Sequence, residues 1–152
     1  MKRIAITFLI LTVIIISSCE KDDFCTQNPV TPSLVLRFYS KDTVADTKKA
    51  DSLYVWVDGK DSIYKNLNTD SIALPLNTLA QQTKFNLSKG TLQTATLTIN
   101  YTTEDEYVSR SCGYRVLFND VSFEKTGWID SLSVTEIPTI NNQSSAHVKI
   151  YH

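Results

Sequence analysis

The side chains able to do chemistry in this chain are three cysteines, two histidines, one run of acids and a few aromatic rings. Histidine alone changes charge near neutrality without help from its surroundings, and His147 and His152 are the whole supply. Alternation puts His147 opposite Val148, so it is expected on the solvent side of a strand and poorly placed as base or ligand. Glu104-Asp105-Glu106 is the densest acidic cluster. It could hold calcium or pair with Arg110 and Arg115, but a solvated hairpin tip is the expected setting. Trp56 and Trp128, with Tyr54 and Tyr64, offer flat faces for a sugar or a protein, cross-strand pairing and core packing being their competing uses. No Cys-x-x-Cys, His-Glu-x-x-His, Gly-x-Ser-x-Gly or phosphate-binding glycine loop occurs, and Gly totals four. No catalytic residue, metal ligand or cofactor is therefore expected. The candidate binding residues are Trp56, Trp128, Glu104, Asp105 and Glu106.

The elements that must hold these side chains read as strands. Leu34, Leu36 and Phe38 alternate with Val35, Arg37 and Tyr39, and Leu53, Val55 and Val57 with Tyr54 and Trp56. Ala95, Leu97, Ile99 and Tyr101 alternate with Thr94, Thr96, Thr98, Asn100 and Thr102. Tyr114, Val116 and Phe118, then Leu132 and Val134, then Val148 and Ile150 complete the series. A period of two buries one set of side chains and leaves the other to water. Asp58-Gly59, Lys89-Gly90, Asn119-Asp120 and Asn141-Asn142 are the expected turns, the first a tight hairpin. Leu76 to Gln82 allows one helical turn capped by Asn77. The prediction is an all-β fold over 33–152, a small antiparallel β-sandwich of immunoglobulin-like architecture, with a small β-barrel as the alternative.

The first residues are of a different kind. Met1-Lys2-Arg3 is basic, and Ile4 to Ile16 is an apolar run of 13 residues broken only by Thr7 and Thr12. That is shorter than the roughly 20 residues a membrane-spanning helix needs, and suits a signal peptide over 1–18. Ile16-Ser17-Ser18-Cys19 resembles the bacterial lipobox, in which the cysteine thiol takes a diacylglyceryl group and becomes the new N-terminus. An ordinary secretory signal beside a chance cysteine is the competing reading. Lys21-Asp22-Asp23 follows within a lipid anchor and tether over 19–32. It serves as a solvated spacer or, by its resemblance to the lysine-plus-acids export signal of Bacteroidota lipoproteins, as an address for the cell surface.

Removing the 18 residues before Cys19, Lys2 and Arg3 among them, leaves 134 residues with 13 basic and 16 acidic side chains. That mild acidity argues against nucleic acid, whose binders need clustered positive charge. With Cys19 lipidated, Cys25 and Cys112 remain as an even pair, which in an exported domain favours a disulfide over a metal site or two free thiols. An Asp-Ser or Asp-Thr pair followed by an apolar residue recurs at Thr43, Ser52, Ser62, Ser71 and Ser131. The irregular spacing excludes a repeat. Turn closure before strands explains the triplets, and they also resemble the O-glycosylation acceptor motif of exported Bacteroidota proteins.

Taken together, Cys19 to Cys25, the Asp-Ser-Leu-Tyr-Val-Trp strand at 51–56, Leu74-Pro75-Leu76-Asn77 and the stretch from Asn100 to Gly113 resemble a family of uncharacterised Bacteroidota lipoproteins. The resemblance implies a lipid-anchored outer-membrane location, facing the cell surface or else the periplasm, and a paired Cys25 and Cys112. It implies no activity. The expectation is a non-enzymatic binding or accessory module with a protein or glycan partner at the envelope. A structural envelope or assembly protein is the second class, and an enzyme of unfamiliar type the third.

Overall fold

The computed structural model describes Cys25 and residues 31–92, 94–134 and 139–152. The expected signal peptide over 1–18, Cys19 and Lys21-Asp22-Asp23 lie outside the described residues. The chain divides into two compact units: 1–29 with 107–114, and 30–106 with 115–152. The described residues contain no helix, and so none long and apolar enough to cross a membrane.

The strands in chain order are β1 (Leu34–Tyr39), β2 (Ala50–Trp56), β3 (Tyr64–Thr69), β4 (Ser71–Leu74), β5 (Gln82–Lys89), β6 (Ala95–Ser109), β7 (Gly113–Lys125), β8 (Ser131–Val134), β9 (Thr139–Ile140) and β10 (Val148–Tyr151). They form two sheets, β4-β1-β10-β8 and β3-β2-β5-β6-β7-β9. The all-β expectation holds. The pairings β1–β4, β10–β8, β2–β3, β2–β5, β5–β6 and β7–β9 are antiparallel, and β1 and β10 run parallel with Leu36 opposite Val148.

Alternation places the core of the larger unit as expected. Leu34, Leu36 and Phe38 from one sheet meet Leu53, Val55, Phe85, Leu87, Leu97 and Ile99 from the other, all fully buried. Tyr101 closes one end of this core. Its ring meets Phe118 edge to face at 5.0 Å, and its hydroxyl lies 2.6 Å from Thr83 Oγ1 and donates to Asn77 O at 2.8 Å. Burial pushes the Tyr101 phenol up from its ordinary value.

Four local expectations are corrected. Leu76 to Gln82 is a turn leading into β5, where Asn77 Oδ1 accepts from Leu79 N at 2.9 Å; the cap residue caps no helix. The β2–β3 connection is longer than a tight hairpin: Lys60 N donates to Val57 O and Ile63 N to Val55 O, with Gly59 at a φ of 71°. Asn119-Asp120 does not reverse the chain but sits inside β7, with Asp120 at a φ of 53°. Glu104-Asp105-Glu106 is not a tip. It lies within the 15-residue β6, where cross-strand partners on β7 hold two of the three acids: Asn119 Nδ2 donates to Glu104 at 2.8 Å and Arg115 pairs with Glu106.

Candidate functional site

Tyr54 and Trp56 stand two residues apart on β2, so they share the face turned away from the core that holds Leu53 and Val55. Opposite them on β5 are Ser88 and Asn86. On the other side β3 contributes Lys65, and the Val57–Ile63 loop contributes Lys60, Asp61 and Ser62. With Tyr54, Trp56 and Ser88 these enclose an open groove of about 460 Å³. Tyr54 is 40% exposed and Trp56 half-buried. Among the described residues the Trp56 indole N–H finds no acceptor, and neither Lys60 nor Lys65 has an ion-pair partner.

The same loop forms a second concavity on its other side. It is a pocket of about 440 Å³ in which Val57, Ile63, Pro75 and Leu76 supply apolar lining and Asp58, Lys60, Asp61 and Lys84 charged lining. Asp58 is fixed by Asn86 Nδ2, which donates to its carboxylate at 2.5 Å. Lys60 and Asp61 therefore border both concavities and can address a ligand in either.

The structure does not gather the other expected residues here. Trp128 packs against the core, 6.4 Å from the Phe38 ring, and its indole N–H donates to Leu87 O at 3.0 Å. Tyr64 also leans on the core, with its hydroxyl donating to Ala73 O at 2.7 Å. Glu104, Asp105 and Glu106 lie on β6, which is separated from β2 by β5. Among the described residues no group of three His, Cys, Asp or Glu is placed to hold a metal ion. Of the Asp-Ser and Asp-Thr positions, Thr43, Ser52 and Ser131 are exposed and Ser62 and Ser71 half-buried, with Ser71 Oγ donating to Leu36 O at 3.1 Å. Sequence reasoning missed Lys60 and Lys65. The signal available was their two charges flanking Asp61, but β3 itself carries too few apolar residues to announce a strand.

Both histidines are buried, which corrects the solvent-facing expectation for His147. It is 3% exposed. Its backbone N–H donates to Val35 O at 2.9 Å, and its ring Nδ1 accepts from Val35 N, also at 2.9 Å. The imidazole thus satisfies a backbone donor at the start of β1. His152 lies between rings, 5.8 Å from Phe38 and 5.6 Å from Trp128. Its Nδ1 accepts from Lys89 Nζ at 2.6 Å, and its Nε2 faces Lys48 O at 3.3 Å. Lys89 rests 5.0 Å over the Trp128 ring. Burial, then the charge of Lys48, holds its ammonium below the ordinary lysine range.

Burial lowers both histidines from 6.5; for His152 the Lys89 charge adds to it, and for His147 a hydrogen bond to the Asn142 backbone opposes it. The unfolded chain therefore binds more protons than the native one just below pH 6.5. Stability is at its full value above that pH and falls as acid carries the solution down toward the depressed native values. Melting temperature should drop between pH 7.5 and 5.5, and drop less in a His147→Asn, His152→Asn variant, whose amides accept hydrogen bonds without titrating. Parallel losses in parent and variant would show that other groups govern the acid response.

A family model matches residues 52–152, from within β2 to His152 just past β10. The chain belongs to the DUF6452 family. That family is one of unknown function. No curated protein and no solved structure matches the chain. The DUF6452 match takes in every residue of both concavities, whereas β1 and Cys25 lie outside it.

Proposed function

We propose that this DUF6452 chain is a bacterial lipoprotein, of Bacteroidota type, held in the outer membrane through Cys19 and turned to the cell surface. In this reading its β-sandwich is a non-catalytic module that binds a partner at the envelope. The observation that carries it is the open groove of Tyr54 and Trp56, whose indole N–H and neighbouring ammonium groups have no partner within the described protein. Tyr54 and Trp56 combine an apolar ring with a polar tip at the surface, the character that binding sites favour. The groups best suited to catalysis at neutral pH are engaged structurally. Val35 N and Lys89 occupy a nitrogen of each histidine, and Cys25 is bonded to Cys112. Those engagements support binding over turnover.

The anchor and the module are testable in one strain. Fatty-acid label should enter the parent and not Cys19→Ala, and protease added to intact cells should remove the labelled domain. Material cross-linked to the parent in membranes should be lost from Trp56→Ala while Glu104→Ala, which lies two strands away, keeps it. Equal labelling of Cys19→Ala would overturn the anchor. Turnover of a substrate that depends on any residue of the groove would overturn the non-catalytic module.

A further inference from the structure

The Tyr54–Trp56 groove has a chemistry of its own, and this inference rests on the binding reading above. At about 460 Å³ it has room for one or two sugar rings. Its walls are polar and apolar in equal measure, unlike the mainly apolar lining of the neighbouring pocket. A pyranose has the matching character: C–H bonds on its faces and hydroxyls round its edge. The Trp56 and Tyr54 rings suit the face, the Asp61 carboxylate can accept from a pair of hydroxyls, and Ser88 Oγ can exchange hydrogen bonds at the edge. Two ammonium groups, Lys60 and Lys65, stand over this groove against the single Asp61 carboxylate, and neither is committed to an acid within the described protein. We infer that the groove between β2, β3 and the Val57–Ile63 loop is a subsite for an acidic sugar, one carrying a carboxylate or a phosphate.

The division of labour follows from the geometry. Tyr54 and Trp56 are held on a strand whose inward neighbours are fully buried, so the stacking surface is preorganised and little order is lost on binding. Lys60 and Lys65 sit on long exposed side chains at the rim. They choose between acidic and neutral sugars and make binding sensitive to salt, because rim charges are screened within a Debye length of about 8–10 Å.

The full chain in detergent should be presented to an array of matched neutral, carboxylated and phosphorylated oligosaccharides. Acidic members should be retained about tenfold or more over their neutral counterparts, with the margin shrinking as salt rises. Trp56→Ala should weaken retention about tenfold or more, and Trp56→Phe should restore part of it. Lys60→Gln with Lys65→Gln should leave residual sugar binding but erase the preference for acid. Both lysines are exposed, so this variant keeps its fold even if Trp56→Ala does not, and melting curves check each. Retention of neutral and acidic sugars alike, or of none, would overturn the inference. An envelope partner that still depends on Trp56 while the array stays blank would refute the sugar and leave the binding module standing. Loss of neither with Trp56→Ala would bring down both.

Discussion

Reducing the Cys25–Cys112 bond should lower the melting temperature by about 10 °C or more without changing the strand content. The two cysteines are 87 residues apart, with Cα atoms at 4.9 Å. Cross-linking a loop of that length removes unfolded-state entropy worth about 4 kcal/mol by the chain-entropy estimate. Beside Cys112, whose backbone N–H takes Ser109 Oγ at 3.1 Å, Tyr107 and Tyr114 meet edge to face at 5.3 Å. These local contacts do not need the sulfur bridge, so Cys112→Ser should unfold earlier but still fold. Non-reduced peptide mapping would show the linkage directly, and two freely alkylated thiols in native material would exclude it. A melting temperature unchanged by reduction would mean that the unfolded chain gains little freedom when the bond is cut.

Gly127→Ala should be among the most damaging single-methyl changes in the protein, at about 3 kcal/mol or more. Gly127 follows β7 and has a φ of 72°, a conformation that costs an L side chain about 1–2 kcal/mol. A Cβ there would stand 2.6 Å from Ala95 Cα and 2.8 Å from Thr94 O, both backbone atoms at the start of β6. Neither can swing aside as a flexible side chain could. Relief requires β6 and the β7 end to part, at the expense of the Thr126 N to Thr96 O bond and the Thr96–Thr126 hydroxyl pair. Trp128 is the next residue, so its seat against the core would move as well. Gly59→Ala is the control: φ is 71°, but nothing lies within 4 Å of its Cβ. It should lose only the conformational part, about 1–2 kcal/mol. Denaturant unfolding measures both, and equal losses would refute the backbone clash.

The aromatic part of the candidate site is legible in the sequence alone. Leu53 and Val55 point inward, so Tyr54 and Trp56 must share the opposite face, and this is where they lie. Lys60 and Lys65 were not legible, because what brings them to that face is the path of the Val57–Ile63 loop and the pairing of β3 with β2, irregular in register around Leu53. Of the competing uses open to Trp128, the fold shows core packing. Composition cannot say which of two tryptophans has a carbonyl waiting for its N–H, and Leu87 O lies 41 residues away.

The alternation in β1, β6 and β10 determined by itself that the chain is all-β and which side chains are buried, since period two is a property of one strand with one apolar side. Partner choice was decided by tertiary structure alone. β1 and β10 meet in parallel from opposite ends of the domain, and no periodicity encodes a neighbour more than a hundred residues away. His147 shows the consequence. Just before β10 its alternation pointed to water, but the parallel partner left the Val35 N–H in need of an acceptor, and the imidazole turned inward to supply one. Likewise Glu104 to Glu106 looked like a tip until a 13-residue β7 ran alongside with Asn119 and Arg115 to meet them. A buried or paired polar group follows its partner, and the partner is known only once the chain has folded.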